Sequence, residues 1–200
     1  MTVSPTHRRF DDDHLLDAAR EVFRGDGYSA AQTADIAERA GTTRPTLHAR
    51  LGSKQEMYLR VVQREARTFQ GWIADAYERG RSAPLAELAH IGMEPIFRFA
   101  VERPHGFDLL FRGERMGEHP ATVRREVIDE VTVRLTTLIE ERQRTFGTAL
   151  GPHAATLAAA CIGVALQVCE HALDHERDMV AARDVAANFV ASAFRNLDVA

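Results

Sequence analysis

The stretch Thr33-Ala34-Asp35-Ile36-Ala37-Glu38-Arg39-Ala40-Gly41-Thr42-Thr43-Arg44-Pro45-Thr46-Leu47-His48 decides how the rest of the chain is read. Ile36, Ala37 and Ala40 fall on one face of a short helix, and Leu47 supplies the apolar contact of a second. Gly41 permits a tight turn that needs positive φ. Thr43 is a good N-cap for a helix over Arg44–Arg50, and Pro45 is tolerated in its first turn. Small residues at the crossing let the two helices approach closely. A helix-turn-helix so built inserts its second helix into a DNA major groove, with its N-terminal residues against base edges.

Working outward, Asp11–Arg24 places three acids at a helix start, where they favour the positive end of the dipole. Leu15, Ala18, Ala19, Val22 and Phe23 form its apolar face, and Gly25 with Gly27 is expected to end it. The helix before the turn is expected over Thr33–Ala40, although Ser29 with Gln32 also has capping-box spacing and would start it earlier. Downstream, Gly52 breaks the recognition segment, and Ser53-Lys54-Gln55-Glu56 is a capping box opening a helix to about Arg79. Five further helices are expected near Leu85–Val101 (kinked by Gly92 and Pro95), His105–Arg112, Ala121–Phe146, Ala154–Glu176 and Val180–Leu197, with prolines at or just before their starts. No alternating strand pattern occurs. The fold class is all-α: a three-helix head, residues 1–52, on a larger helical body, residues 53–200.

Bulk properties fit this division. The formal charge is −4, but residues 1–67 hold eleven basic and ten acidic side chains, leaving −5 for the remainder. A locally basic head on an acidic body suits docking on DNA through a limited set of contacts. Cys161 and Cys169 lie about 12 Å apart along one expected helix, too far for a disulfide. No apolar run is expected to cross a bilayer, and no hydrophobic segment opens the sequence, so the expected location is cytoplasmic.

With these residues in view, the sequence resembles the TetR family of transcriptional regulators. The likeness runs from Leu15-Leu16-Asp17-Ala18-Ala19 through Phe23, Gly27-Tyr28, Asp35–Gly41, Thr46-Leu47 and Ser53–Glu56, and more weakly includes Phe107–Arg112. It differs where the family has a tyrosine after Thr-Leu, here His48, and where it has threonines before the first helix of the motif, here Ala31-Gln32-Thr33. The expected DNA-contacting set is Gln32, Thr33, Thr42, Thr43, Arg44, Pro45, Thr46, His48, Arg50 and Lys54. Arg44 is the candidate for bidentate guanine readout. Lys54, and His7, Arg8 and Arg9 of the leading arm, are candidates for phosphate.

The resemblance implies a homodimeric, ligand-responsive repressor of double-stranded operator DNA, released by a small, mostly apolar effector, with no cofactor. Candidate effector contacts are Phe69, Trp72, Met93, Phe97, Phe107, Leu110 and Phe111, with Arg98, His90 or His105 as polar handles. The last two helices, apolar on more than one side, are expected to form the dimer seam through Cys161, Val164, Val168, Phe189, Val190 and Phe194. Two rivals stand beside this reading. One is a DNA-binding or architectural protein without an effector. The other is a metal-dependent helical enzyme using His171 and His175, spaced i, i+4. The sequence has no nucleophile elbow, phosphate loop or Cys-x-x-Cys, and the expectation is no enzyme and no metal.

Overall fold

The computed structural model describes residues 12–112, 118–146 and 153–196. All regular structure among them is helical: α1 Asp12–Ala30, α2 Thr33–Arg39, α3 Arg44–Leu51, α4 Lys54–Arg79, α5 Leu85–Glu102, α6 Pro104–Phe107, α7 Glu118–Phe146, α8 Ala154–Asp174 and α9 Met179–Asn196. A π-helical turn, Asp108–Arg112, continues α6. The leading-arm residues His7, Arg8 and Arg9 lie outside the described residues.

The head forms because α1, α2 and α3 share one apolar centre: Leu15, Ala19, Phe23, Ile36, Ala37, Ala40 and Leu47 are all buried. Helix α1 continues through Gly25, and a kink at Gly27 separates its main body from a last turn ending at Ala30. The φ of 72° and ψ of 167° at Gly27 are open to glycine and costly for other residues. Gly41, at φ 63°, makes the turn between α2 and α3. The capping box is formed: Ser53 Oγ accepts from Glu56 N at 3.2 Å, and Glu56 Oε2 accepts from Ser53 N at 2.7 Å.

Helix α4 belongs physically to both parts of the molecule. Its first half buries Met57, Tyr58, Val61 and Val62, and Tyr58 packs edge-on to Phe23 of α1 with ring centroids 5.1 Å apart. Its second half buries Phe69, Ile73 and Ala76 among the body helices. In the body, α5 packs along α9, α7 along α8, and both α5 and α7 against α4. Helix α5 passes Gly92 and Pro95 as one continuous helix.

Two expectations are corrected. Helix α8 is in fact long and apolar enough to cross a bilayer by length and composition, with only 22% of that stretch buried. Its alanine-rich sequence raises hydropathy without large side chains. In the seam set, Val190 and Phe194 are buried within their own subunit, whereas Phe189 is 64% exposed. Residues 189 and 190 lie on different sides of α9, since adjacent helical positions are about 100° apart.

Candidate functional site

Helix α3 holds Leu47 and Leu51 inward, and all its other residues are exposed. Thr43 caps it, accepting from Thr46 N at 3.3 Å, and the Thr43 and Thr46 hydroxyls lie 2.9 Å apart. Two stripes remain outward at i, i+4 spacing: Arg44 with His48, and Pro45 with Ala49. Ala49 was not singled out from sequence. Its exposed position one turn beyond Pro45 is the signal that would have found it.

The head's cations are unequally occupied. Arg50 Nε donates to Asp12 at 2.9 Å, and Arg60 donates to the same carboxylate at 2.8 Å. Those two guanidiniums hold the Asp12 carboxyl below its ordinary range, the hydrogen bond from Arg60 contributing most. Arg39 faces Glu21 at 3.7 Å, and Arg64 binds Asp17 at 2.8 Å. Arg44 makes no ion pair or hydrogen bond with the described residues and is exposed. The expected DNA contacts Arg50 and Lys54 are thus committed elsewhere in this state. Lys54 Nζ donates to the Ser29 carbonyl at 3.1 Å and lies 4.9 Å from the centre of the Tyr28 ring. His48 Nδ1–H donates to the Gly52 carbonyl at 2.8 Å, which fixes the imidazole on the helix flank. Gln32 sits at the N-cap position of α2 but donates to the Ala30 carbonyl at 3.1 Å instead of capping. Thr33 and Thr42 are half-buried beside it and at the turn.

A buried charge lies where head and body meet. Glu65 of α4 is fully buried, and its two carboxylate oxygens accept from Arg103 Nε and Nη2, both at 2.8 Å. Arg20 of α1 approaches the same carboxylate at 3.6 Å. Such a bidentate pair is directional as well as charged. Gly106 fits against it so closely that a Cβ there would lie 2.5 Å from Glu65 Oε2 and 2.9 Å from Phe99. One carboxylate therefore ties together α1, α4 and the α5–α6 junction.

The body holds an apolar cavity of ≈60 Å³, lined by residues of five helices and the π turn. Phe69, Ile73 and Tyr77 of α4 face Val127, Val131 and Leu135 of α7, with Met93 of α5 and Phe194 of α9 among the remaining walls. The eight steps from Phe69 to Tyr77 rise about 12 Å, which is the length of the α4 wall. Of the seven effector contacts expected from sequence, Phe69, Met93 and Phe111 line it. Trp72, Phe97, Phe107 and Leu110 do not, which corrects that list. Trp72 packs on Phe99 with ring centroids 5.6 Å apart, and Arg98 covers its outer face at 4.4 Å while binding Glu102. Phe97, Phe107 and Leu110 are buried packing residues. His90 and His105 do not line the cavity either. Tyr77 and Cys161 supply the polar atoms that sequence reading missed, and the Cys161 thiol is pushed up to about 11 by burial.

His171 and His175 stack with ring centroids 4.2 Å apart, and His175 Nδ1–H donates to the His171 carbonyl at 2.9 Å. No third His, Cys, Asp or Glu joins them in a metal-holding group among the described residues.

The head and the whole fold both have known counterparts. Residues 15–61 match the family model of bacterial regulatory proteins of the tetR family. Over 116 residues, 58% of this chain, the sequence is 31% identical to the HTH-type transcriptional activator FasR of Mycolicibacterium smegmatis. That alignment spans 52% of the relative, about half its length. A TetR-like transcriptional regulator from Rhodococcus sp. RHA1 is similar with a TM-score of 0.72 and 20% identity, covering 98% of this chain and 100% of that one. FadR from Bacillus subtilis, solved in complex with stearoyl-CoA, gives a TM-score of 0.75 at 16% identity, over 91% of this chain and 98% of that one. SmeT, the repressor of the Stenotrophomonas maltophilia multidrug efflux pump SmeDEF, gives 0.74 at 18%, over 92% and 90%. Residues 15–61 thus form a head that matches the tetR-family model, carried on a body with the fold of TetR-like regulators.

Proposed function

We propose that the protein is a homodimeric repressor whose grip on operator DNA is released when a small apolar ligand enters the body cavity. One observation carries the reading: a single uninterrupted helix, α4, packs into the head through Met57, Tyr58, Val61 and Val62 and lines the cavity through Phe69, Ile73 and Tyr77. Head 1–52 and body 53–200 are then functional parts joined by a rigid rod. The cavity volume of ≈60 Å³ is far below the roughly 300 Å³ of a typical ligand pocket. A ligand must therefore push the lining helices apart. Because α4 is one of them, its entry favours a different placement of the head, which is a shift between two populations.

On DNA, Arg44 reads a base, and Pro45 and Ala49 offer methyl-sized apolar contacts. Thr42, Thr43, Thr46, His48, Gln32 and Thr33 meet the groove rim and backbone. Arg50 and Lys54 reach phosphate only by exchanging their present intramolecular partners. Dimerisation supplies the second half-site, about 34–36 Å from the first. Its seam is the outer side of α8 and α9. There Phe189 and Val185 are 64% and 65% exposed, with Val164 and Val168 half-exposed on α8. Cys161 turns to the cavity, with Val190 and Phe194.

Repression is adopted over activation, the mode named for the FasR relative. Selection of a palindromic duplex from random DNA, followed by transcription in vitro from a promoter carrying it, tests the reading. Reduced transcript with protein and recovery with ligand are expected. Increased transcript would reverse the sign, and failure to select a palindrome would end the proposal. A protein without an effector would show operator binding that no cavity ligand moves.

A further inference from the structure

We propose that the cavity takes an uncharged, slender aliphatic ligand bearing one hydrogen-bond acceptor, docked on the Tyr77 hydroxyl, and that Gly92 sets the room available. The inference rests on the ligand-controlled reading above and names the ligand's chemistry. Among the described residues the walls are aliphatic and aromatic except at Tyr77 and Cys161, with no ionisable cation or carboxylate among them. Burying a carboxylate or ammonium without a partner costs far more than burying a carbonyl that gains a hydrogen bond. An ionised group must therefore stay outside the cavity.

Tyr77 of α4 and Cys161 of α8 both line the cavity, and burial raises both hydroxyl and thiol away from ionisation. Both are neutral at physiological pH. Tyr77 makes no hydrogen bond to the described residues, so its O–H is available to a ligand acceptor. From Phe69 at one end to Tyr77 at the other, the lining is about 12 Å long along α4 and bounded by side-chain stripes at helical spacing. That outline fits an extended alkyl chain better than a fused-ring system.

Gly92 supplies the second constraint. It lines the cavity in the middle of α5, and a Cβ built there meets nothing within 4 Å. Gly92 is thus a lining position at which nothing crowds an added Cβ. A Cβ fits there without displacing neighbours, and replacing glycine inside a helix is otherwise favourable.

The test uses the full-length protein, isothermal titration and three variants, with 2-decanone and decanoate as probes at pH 7.5. The ketone is expected to bind at least tenfold tighter than decanoate. Tyr77→Phe should weaken ketone binding about three- to tenfold, the range of one net hydrogen bond, with thermal stability retained. Gly92→Leu should abolish binding while the protein melts at or above the wild-type temperature, and Gly92→Ala should retain it. Tighter binding of decanoate, unchanged affinity in Tyr77→Phe, full binding in Gly92→Leu or no binding of the ketone would each overturn the proposal. Binding as expected without any effect on the selected operator would instead remove the ligand-controlled reading and leave the cavity chemistry standing.

Discussion

Replacing Arg103 by methionine should destabilise the protein by about 3 kcal/mol, and the size follows from what is left behind. Glu65 is fully buried, so its carboxylate cannot regain water when its fork of two 2.8 Å hydrogen bonds is removed. Removing one partner of a buried pair costs about 3–5 kcal/mol. Arg20, at 3.6 Å, remains as a second cation and holds the loss near the lower end. The reciprocal change is milder. Glu65→Gln leaves two guanidiniums whose side chains are 26% and 28% exposed and can be hydrated, so about 1–2 kcal/mol is expected. Glu65→Leu combined with Arg103→Met should recover part of the single-mutant loss, because no buried charge is then unpaired. Urea unfolding at one fixed protein concentration measures all four proteins, the concentration being held because a dimer's midpoint depends on it. A loss in Arg103→Met below about 0.5 kcal/mol, or one smaller than that in Glu65→Gln, would refute the reasoning.

Other consequences are more local. Arg44→Ala should weaken binding to the selected duplex about tenfold to a hundredfold and relax preference at one guanine, with the melting temperature unchanged; equal loss on every sequence would make Arg44 a phosphate contact. Gly106→Ala places a methyl 2.5 Å from Glu65 Oε2 and should cost about 1–3 kcal/mol by thermal or urea melts. Asp12 has its carboxyl held below the ordinary 3.8 in the folded state. Its contribution is therefore present above that value and lost as pH falls through the folded one. Asp12→Asn should be less stable than wild type near pH 6, and the gap should narrow progressively as melts are taken below about pH 4.

The head was readable from sequence because its signals are local. A glycine at positive φ, a threonine cap, a Ser–Glu capping box and apolar residues at i, i+3 and i+4 each act over a few residues. What failed there was also local but needed coordinates. The first helix survives Gly25, since a single glycine costs a helix only about 1 kcal/mol, and it breaks at Gly27, where the dihedrals demand glycine. Arg50 and Lys54 are expected on DNA from their positions, and only the fold reveals Asp12 and the Ser29 carbonyl beside them.

The cavity was harder, for a geometric reason. Body helices are apolar around much of their circumference, so spacing marks a residue as buried without saying which buried side meets a void. On α5, Met93 and Ile96 line the cavity, while neighbouring Phe97 is buried elsewhere. On α9 the same ambiguity grouped Val190 and Phe194, which line the cavity, with the exposed Phe189. Large aromatics drew attention as ligand contacts, yet Trp72 and Phe107 pack on other rings. Tyr77 and Gly92, less conspicuous in sequence, are at the cavity wall.

The claim that head and cavity act as one device is tested most directly by fluorescence anisotropy of a labelled operator duplex, titrated with wild-type protein and with Gly92→Leu, each with and without a ligand of the cavity. In wild type the ligand should weaken operator binding at least about tenfold, a coupling of roughly 1.4 kcal/mol, and in Gly92→Leu the curves with and without ligand should superimpose. Ligand that binds wild-type protein yet leaves its operator affinity unmoved, or that shifts both proteins equally, would contradict it.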